Sequence, residues 1–460
     1  MRQALGLLGR GPVLHDPRWL EAALYGALAT AAICWIAWPG FMSFDSLLAY
    51  EQTFTGVQTM TWPPMHTYLL WLSRSAGLGP GGLLAAQTFL LFFGAAAALN
   101  LLSPNRWLAL LAQFVFAAGF IYAPPLLGSL LAQWRDVPTA SFAVLAVALW
   151  LAAARYRSVL LLVAAALAIG LGISLRYNAI LLVVGIVPLM VAQPYLGQRT
   201  SAWVRVAVTL ALVTSLGLAW ASTRWRLPDL ARPDKADNFA GTQLFDLFGV
   251  SACAGRDYLP GAVTEGATVT GDQIRRTYEP THLQRTLAPK PGLPRFYETD
   301  GRGTVQEAWW ATVPKEPGCY LVHRLRVFRR QMGMAAEPVF YPVHGGIDDN
   351  RFGLTLARPD TALAVRTYID DHSSEVWRRP GLLYLAAAAA ALLAAWRSRD
   401  VTSLLLALLA GCAAYPLALF VAGPAADARY IFPSNVFCVL VIAAAFTTLF
   451  ASTARAARRR

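Results

Sequence analysis

The chain has 460 residues, 56% of them hydrophobic and only 14% charged, where an ordinary soluble chain carries about 25%. Several apolar stretches reach the roughly 20 residues that cross a bilayer, which excludes a simple cytosolic enzyme, a collagen-like chain and a disordered protein. The formal charge of +13 is unevenly spread: residues 223–380 hold 21 basic and 19 acidic side chains, leaving 18 basic and 7 acidic elsewhere. Much of that surplus lies in short connections and tails between apolar runs, where positive charge reports topology rather than a nucleic-acid partner.

Apolar runs predict ten membrane helices, near 19–40, 82–102, 107–126, 136–154, 158–175, 179–193, 203–222, 381–396, 401–422 and 430–451. The first is too long for a cleavable signal peptide and lacks a small-residue cleavage site after it. With the N-terminus in the cytoplasm, the cytoplasmic connections carry Arg2, Arg10, Arg18, Arg106, Arg155, Arg157, Arg199, Arg205, Arg397 and Arg399. The tail from Arg455 to Arg458-Arg459-Arg460 then also ends inside. The expected organisation is an all-α polytopic protein. A seven-helix module spans 1–222 with a first outer loop at 41–81, an extracytoplasmic domain spans 223–380, and a three-helix module with a basic cytoplasmic tail spans 381–460.

The polar middle segment shows no clean strand alternation. After Pro317 the residues Tyr320, Leu321, Leu325 and Phe328 have helical spacing, leaving His323, Arg324, Arg326, Arg329 and Arg330 for the other faces. The preceding Trp309-Trp310 pair suits a membrane interface. None of the five cysteines has metal-site spacing. Cys34, Cys412 and Cys438 lie in apolar runs and read as packing residues, whereas Cys253 and Cys319 share the polar segment and would be free to pair in an oxidising compartment if they meet.

Seven acidic residues lie outside 223–380. Asp16, Glu21 and Asp400 flank cytoplasmic helix ends and read as solvated surface. Asp45, Glu51, Asp136 and Asp427 fall on the outer side, the face that also receives Arg135, Arg176, Asn178 and Arg429. Ionisable groups at a bilayer edge mark a site or a structural ion pair. In the first loop, Asp45 has two readings: a general base or cation ligand, or, with Ser46, the cap of a short helix over Leu47–Phe54. Gln52 and His66 follow it, His66 either a proton carrier or a packed aromatic neighbour. Asp136 suits the N-terminus of its helix, with Arg135 beside it placed to meet phosphate. Arg176, in the short turn Leu175-Arg176-Tyr177-Asn178, needs an anion such as Asp136 or a lipid phosphate. Snorkelling to the interface would account for Arg429 alone, in Asp427-Ala-Arg429-Tyr430-Ile-Phe-Pro433, less well for four clusters on one side.

At these residues the chain resembles the C-type (GT-C) glycosyltransferase superfamily of polytopic membrane enzymes. Phe44-Asp45-Ser46 resembles the family's acidic element after the first helix, and Arg429-Tyr430-Ile-Phe-Pro433 its late Arg-Tyr-x-x-Pro element. Trp134-Arg135-Asp136 is similar to its second acidic element, and Arg176-Tyr177-Asn178 to a further recurring one. The resemblance covers about 1–200 and 380–440, with weaker similarity around Pro317–Phe328. It departs from relatives in having a single Asp in the first loop and a large domain between the seventh and eighth helices.

The resemblance implies inverting transfer of a sugar from a polyprenyl-phosphate donor to a glycan, lipid or protein acceptor outside the cytoplasm. The setting implied is the inner membrane of a bacterial envelope, with the site on the periplasmic face and no nucleic-acid partner. Asp45 would be the base, Asp136 would orient an Arg or the acceptor, and Arg135, Arg176 and Arg429 would hold the lipid phosphate. Ser46, Gln52, His66, Asn178 and Tyr430 would be candidates to contact substrate. No cofactor is required on this reading, and a divalent cation shared by Asp45 and Asp136 stays open. The competing readings are a transporter or lipid flippase, which calls for broken or ionisable mid-membrane helices, and a non-catalytic polymer-assembly protein.

Overall fold

The computed structural model describes residues 16–56, 63–187, 213, 214, 217, 239–298, 302–397 and 402–457. Among them the chain is helical throughout, with isolated bridges but no named strand. Among the described residues, six helices are long and apolar enough to cross a membrane: α1 (Pro17–Ala37), α4 (Gly81–Leu102), α7 (Asp136–Tyr156), α16 (Pro380–Arg397), α17 (Thr402–Ala422) and the span Ala428–Phe450, most of it in α18 (Phe432–Ala457). A seventh is added if the bent pair α5 (Arg106–Tyr122) and α6 (Pro124–Leu130) counts as one span. This is the architecture of a multi-pass membrane protein.

The expectation of ten spans is met only in part. The run expected over 107–126 bends by 92° between α5 and α6. Pro124 and Pro125 supply no backbone donor, and the residue before a proline is driven from helical backbone, as Ala123 is at φ −109° and ψ 82°. The run at 158–175 is α8 (Val159–Leu175), shorter than the other spans. Of 179–193, only the single turn α9 (Ala179–Leu182) is helical before a break, and 188–193 lie outside the described residues, as does nearly all of 203–222.

Packing follows chain order at first: α1 lies on α4, α4 on α7 and α7 on α8. Helix α18 then runs through the middle, touching α5, α7, α16 and α17. The close approaches use small residues, as is usual where lipid supplies no hydrophobic drive. A Cβ on Gly94 would stand 3.0 Å from the Leu145 backbone of α7. At one end of the bundle, Asp16 and Glu21 are not the simple solvated charges expected from sequence. Asp16 accepts from the Tyr156 hydroxyl at 2.8 Å and lies 3.8 Å from Arg155, and Glu21 pairs with Arg106 at 2.9 Å. Asp400 lies outside the described residues.

The polar middle segment builds its own apolar core around α10 (Ala240–Ala254), against α11 (Gly271–Thr277), α13 (Arg302–Thr312) and α14 (Pro317–Gln331). Cys253 at the end of α10 and Cys319 at the start of α14 are joined as a disulfide, with Cα atoms 5.5 Å apart. The helix after Pro317 forms as its spacing predicts, but its polarity is turned round. His323 and Arg324 are buried while Leu321 and Leu325 are exposed.

The inward side chains meet Asp246 of α10. Arg324 bonds its carboxylate at 2.8 Å, His323 lies 3.1 Å away, and the Trp309 indole donates to it at 2.9 Å. Trp309 is therefore tied to the segment's own core, whereas Trp310 is exposed. Gly249 leaves room for the imidazole, since a Cβ there would lie 2.0 Å from His323 Nδ1. Burial holds the His323 imidazole below its ordinary value, against the pull of Asp246.

Breaking a buried pair from one side leaves an uncompensated charge, which costs about 3–5 kcal/mol. Arg324→Met should lower the thermal midpoint of the full chain in detergent accordingly, and adding Asp246→Asn should restore part of the loss. Equal midpoints for the single and double variants would show that the two side chains are not coupled.

Candidate functional site

The site begins with how the first loop is pinned. Phe41 N–H donates to Leu131 O and Gln133 N–H to Phe41 O, each at 2.8 Å, while Met42 N–H donates to Gly346 O at 2.8 Å and Asp348 N–H to Met42 O at 3.0 Å. The chain at Phe41–Met42 is thus clamped between the lead-in to α7 and the end of the polar segment. The Gln133 side chain adds bonds to Pro39 O at 2.9 Å and Pro80 O at 2.6 Å. Three residues beyond the clamp, Asp45 enters the first turn of α2 (Phe44–Thr55).

The capping role expected of Asp45 or Ser46 is not what forms. The N-cap of α2 is Ser43, which makes no side-chain cap bond and instead accepts from the Trp134 indole at 3.0 Å. The Ser46 hydroxyl donates to Gln133 O at 2.9 Å. Asp45 is left for an ion pair, with Oδ2 3.0 Å from Arg429 Nη2.

Arg429 lies in a short 3-10 turn, Ala428–Ile431, that leads into α18. Asp427 holds it twice: one carboxylate oxygen accepts the Arg429 backbone N–H at 3.0 Å and the other lies 2.9 Å from Nε. The guanidinium sits 5.0 Å from the Trp134 ring and 5.1 Å from the Tyr430 ring, with the Tyr430 hydroxyl 3.4 Å from Nη2. Snorkelling does not describe this residue, which is mostly buried and paired with two carboxylates.

Arg176, at the C-terminal end of α8, pairs with Asp136 at the first position of α7 at 2.8 Å and lies 4.8 Å from the Tyr430 ring. The four clusters that are far apart in sequence therefore meet at one end of the bundle. They line a cavity of about 520 Å³ with Asp45, Asp136, Arg135, Arg176 and Arg429 on its wall. Ser46, Gln52, His66, Asn178 and Tyr430 line it too, joined by Gln133, Trp134, Thr242 and an apolar flank of Ala418, Leu419 and Ala422 from α17. The size falls within the usual 300–1,000 Å³ of ligand sites.

Several of these side chains serve the frame. Ser46 is bonded to Gln133, and Gln52 accepts from the Thr67 hydroxyl at 3.1 Å. The charges differ in environment. Burial, with Arg176 adding repulsion, pulls Arg135 down to about 10. Burial pushes Asp427 up to about 6 in spite of Arg429. Burial, helped by Arg135 and opposed by Asp45, brings His66 down to about 3, so its imidazole is neutral around pH 7.

The donor set does not favour a shared metal ion. Asp45 and Asp136 each already face a guanidinium, and no group of three or more His, Cys, Asp or Glu side chains is placed to hold a metal among the described residues. Sequence reasoning passed over Asp427 as the partner of Arg429 and Trp134 as its floor. The Asp-x-Arg spacing, which lets one carboxylate cap a turn and meet the guanidinium two residues on, was the available signal.

His66 gives the site a signature in pH. Its native value lies below the roughly 6.5 of an unfolded histidine, so stability is complete above that value and declines as pH falls toward the native one. Between pH 7 and 5 the wild type should lose about 2 kcal/mol that His66→Gln does not lose. Thermal midpoints of both proteins across that range check it, and parallel curves would mean that the imidazole is not held neutral.

No protein-family model matches the chain, and no curated protein or solved structure matches it either.

Proposed function

We propose that the protein is a C-type membrane glycosyltransferase that moves a sugar from a polyprenyl-phosphate donor to an extracytoplasmic glycan, lipid or protein acceptor. The supporting observation is the meeting of a carboxylate, Asp45, with Arg429 at 3.0 Å in a cavity that also holds Arg135 and Arg176. A proton acceptor beside a cluster of guanidinium groups suits transfer in which a phosphate departs.

In the step envisaged, an Asp45 oxygen takes the proton of the acceptor hydroxyl. The acceptor oxygen forms a bond to the anomeric carbon as the bond from that carbon to the phosphate oxygen breaks. The electron pair leaves with the lipid phosphate, and Arg429 and Arg176 stabilise the charge, with Arg135 close by. Asp136 positions Arg176. Arginine forks carry the phosphate, and no step is routed through a divalent ion. The apolar wall from α17 gives the cavity a side that suits a lipid-linked donor. On this reading the cavity opens on the periplasmic side of a bacterial inner membrane, with both chain termini in the cytoplasm.

Asp45→Asn keeps size and hydrogen-bonding oxygen but removes the base, so the protein should purify normally and transfer sugar at least about a hundredfold more slowly. Transfer assays in detergent with a polyprenyl-phosphate sugar measure this, and wild-type turnover would remove the catalytic assignment. Arg176→Ala and Arg429→Ala should each weaken donor binding without unfolding the protein. The corresponding lysine variants should not rescue it, because lysine lacks the bidentate fork. Donor binding unchanged in both alanine variants would place the lipid phosphate elsewhere.

A further inference from the structure

Arg429 has two carboxylate partners, and they are unequal. Asp427 is 6% exposed, and its two oxygens are spent on the Nε and the backbone N–H of the same arginine. Asp45 is 28% exposed and reaches Arg429 through one oxygen from the first turn of α2. The partly solvent-reached Asp45 is the weaker-held of the two partners, whereas a buried acid with backbone support holds its place. A phosphodiester donor brings one negative charge and two free acceptor oxygens to the same guanidinium, where Asp45 offers a single oxygen, and the phosphate released from it carries about 1.5 to 2 charges.

From this inequality we propose that Arg429 exchanges partners when a phosphate enters the cavity, keeping Asp427 and releasing Asp45. In the resting site Asp45 is masked by the cation that the donor phosphate will need. Phosphate binding lifts the mask, and the carboxylate becomes free to accept a hydroxyl proton only once a leaving group is in place. The inference rests on the glycosyltransferase reading and adds an order of events, with donor before proton transfer. It gives Asp427 the part of a positioning residue that keeps Arg429 in the cavity throughout.

The exchange has a consequence opposite to that of a site whose carboxylate helps to hold the phosphate-binding arginine. Because Asp45 competes with phosphate for Arg429, removing its charge should tighten phosphate binding. The test uses the full chain in detergent and titrates it with a polyprenyl phosphate carrying no sugar, and in parallel with the corresponding polyprenol. Wild type should prefer the phosphate, and Asp45→Asn should bind it about tenfold more tightly, with polyprenol binding unchanged. Asp45→Ser, a second route to the same charge loss, should behave alike, and Asp427→Asn should bind the phosphate more weakly. Equal or weaker phosphate binding in both Asp45 variants overturns the exchange while leaving the glycosyltransferase reading in place. A wild type that does not distinguish phosphate from alcohol overturns that reading and the exchange together.

Discussion

A guanidinium cannot rest uncompensated at the edge of an apolar helix bundle, because desolvation of the charge costs several kcal/mol. The arrangement around Arg429 answers that constraint. Asp427 neutralises it from its own turn and Asp45 from across the cavity, and the rings of Trp134 and Tyr430 cover its faces. Satisfying this one side chain requires the first loop, the lead-in to α7 and the start of α18 to converge. The convergence that defines the cavity is in that sense a by-product of where one positive charge must be buried.

The convergence also needs the polar middle segment, which serves as a frame and does not merely hang from the bundle. The stretch between α17 and Arg429 is bonded to it residue after residue. Arg324 donates to Gly423 O at 2.7 Å, Ala426 N–H to Thr281 O at 2.7 Å, Ala428 N–H to Phe340 O at 3.2 Å and Gln331 to Asp427 O at 3.4 Å. Arg324 makes the first of these bonds from within the buried Asp246 cluster, so the orientation of α14 is passed to the turn that presents Arg429. On the other side, the bonds from Met42 to Gly346 and from Asp348 to Met42 fix this residue and hence the start of α2. Asp45 and Arg429 thus meet between two strips of chain that the same segment holds in register.

What was legible in the sequence was chiefly electrostatic. Charges rare enough to stand out against apolar runs, such as Asp45, Asp136, Arg176 and Arg429, mark places where burial must be compensated, and all four line one cavity. The pairing of Arg176 with Asp136 followed from the same logic. Less legible was anything decided by the third dimension. Asp246, His323 and Arg324 lie in a stretch with balanced charge, so their burial leaves no trace in composition; Leu321 and Leu325 of α14 are even exposed. The cap expected at Asp45 failed because Gln133 and Arg429, from distant parts of the chain, offer Ser46 and Asp45 better partners than the local backbone. The bend after α5 was written in Pro124-Pro125, but hydropathy averaged over a window reads straight through it.

Two ion pairs of the cavity, Asp136 with Arg176 and Asp45 with Arg429, use the same residue types, yet burial separates what they can do. Asp136 is almost fully enclosed and faces Arg176 from the first position of α7. Opening that pair would strand a carboxylate in a dry place, so it serves as a fixed support that aims Arg176. The pair of Asp45 with Arg429 has one partner reached by solvent, and opening it strands nothing, because Asp427 remains on the arginine and water can reach Asp45. On the proposed reading a phosphate site uses both kinds. A guanidinium held by one carboxylate keeps other N–H donors for a ligand, as Arg176 does beside Asp136, whereas one with no carboxylate at all would lie uncompensated in the cavity before the ligand comes.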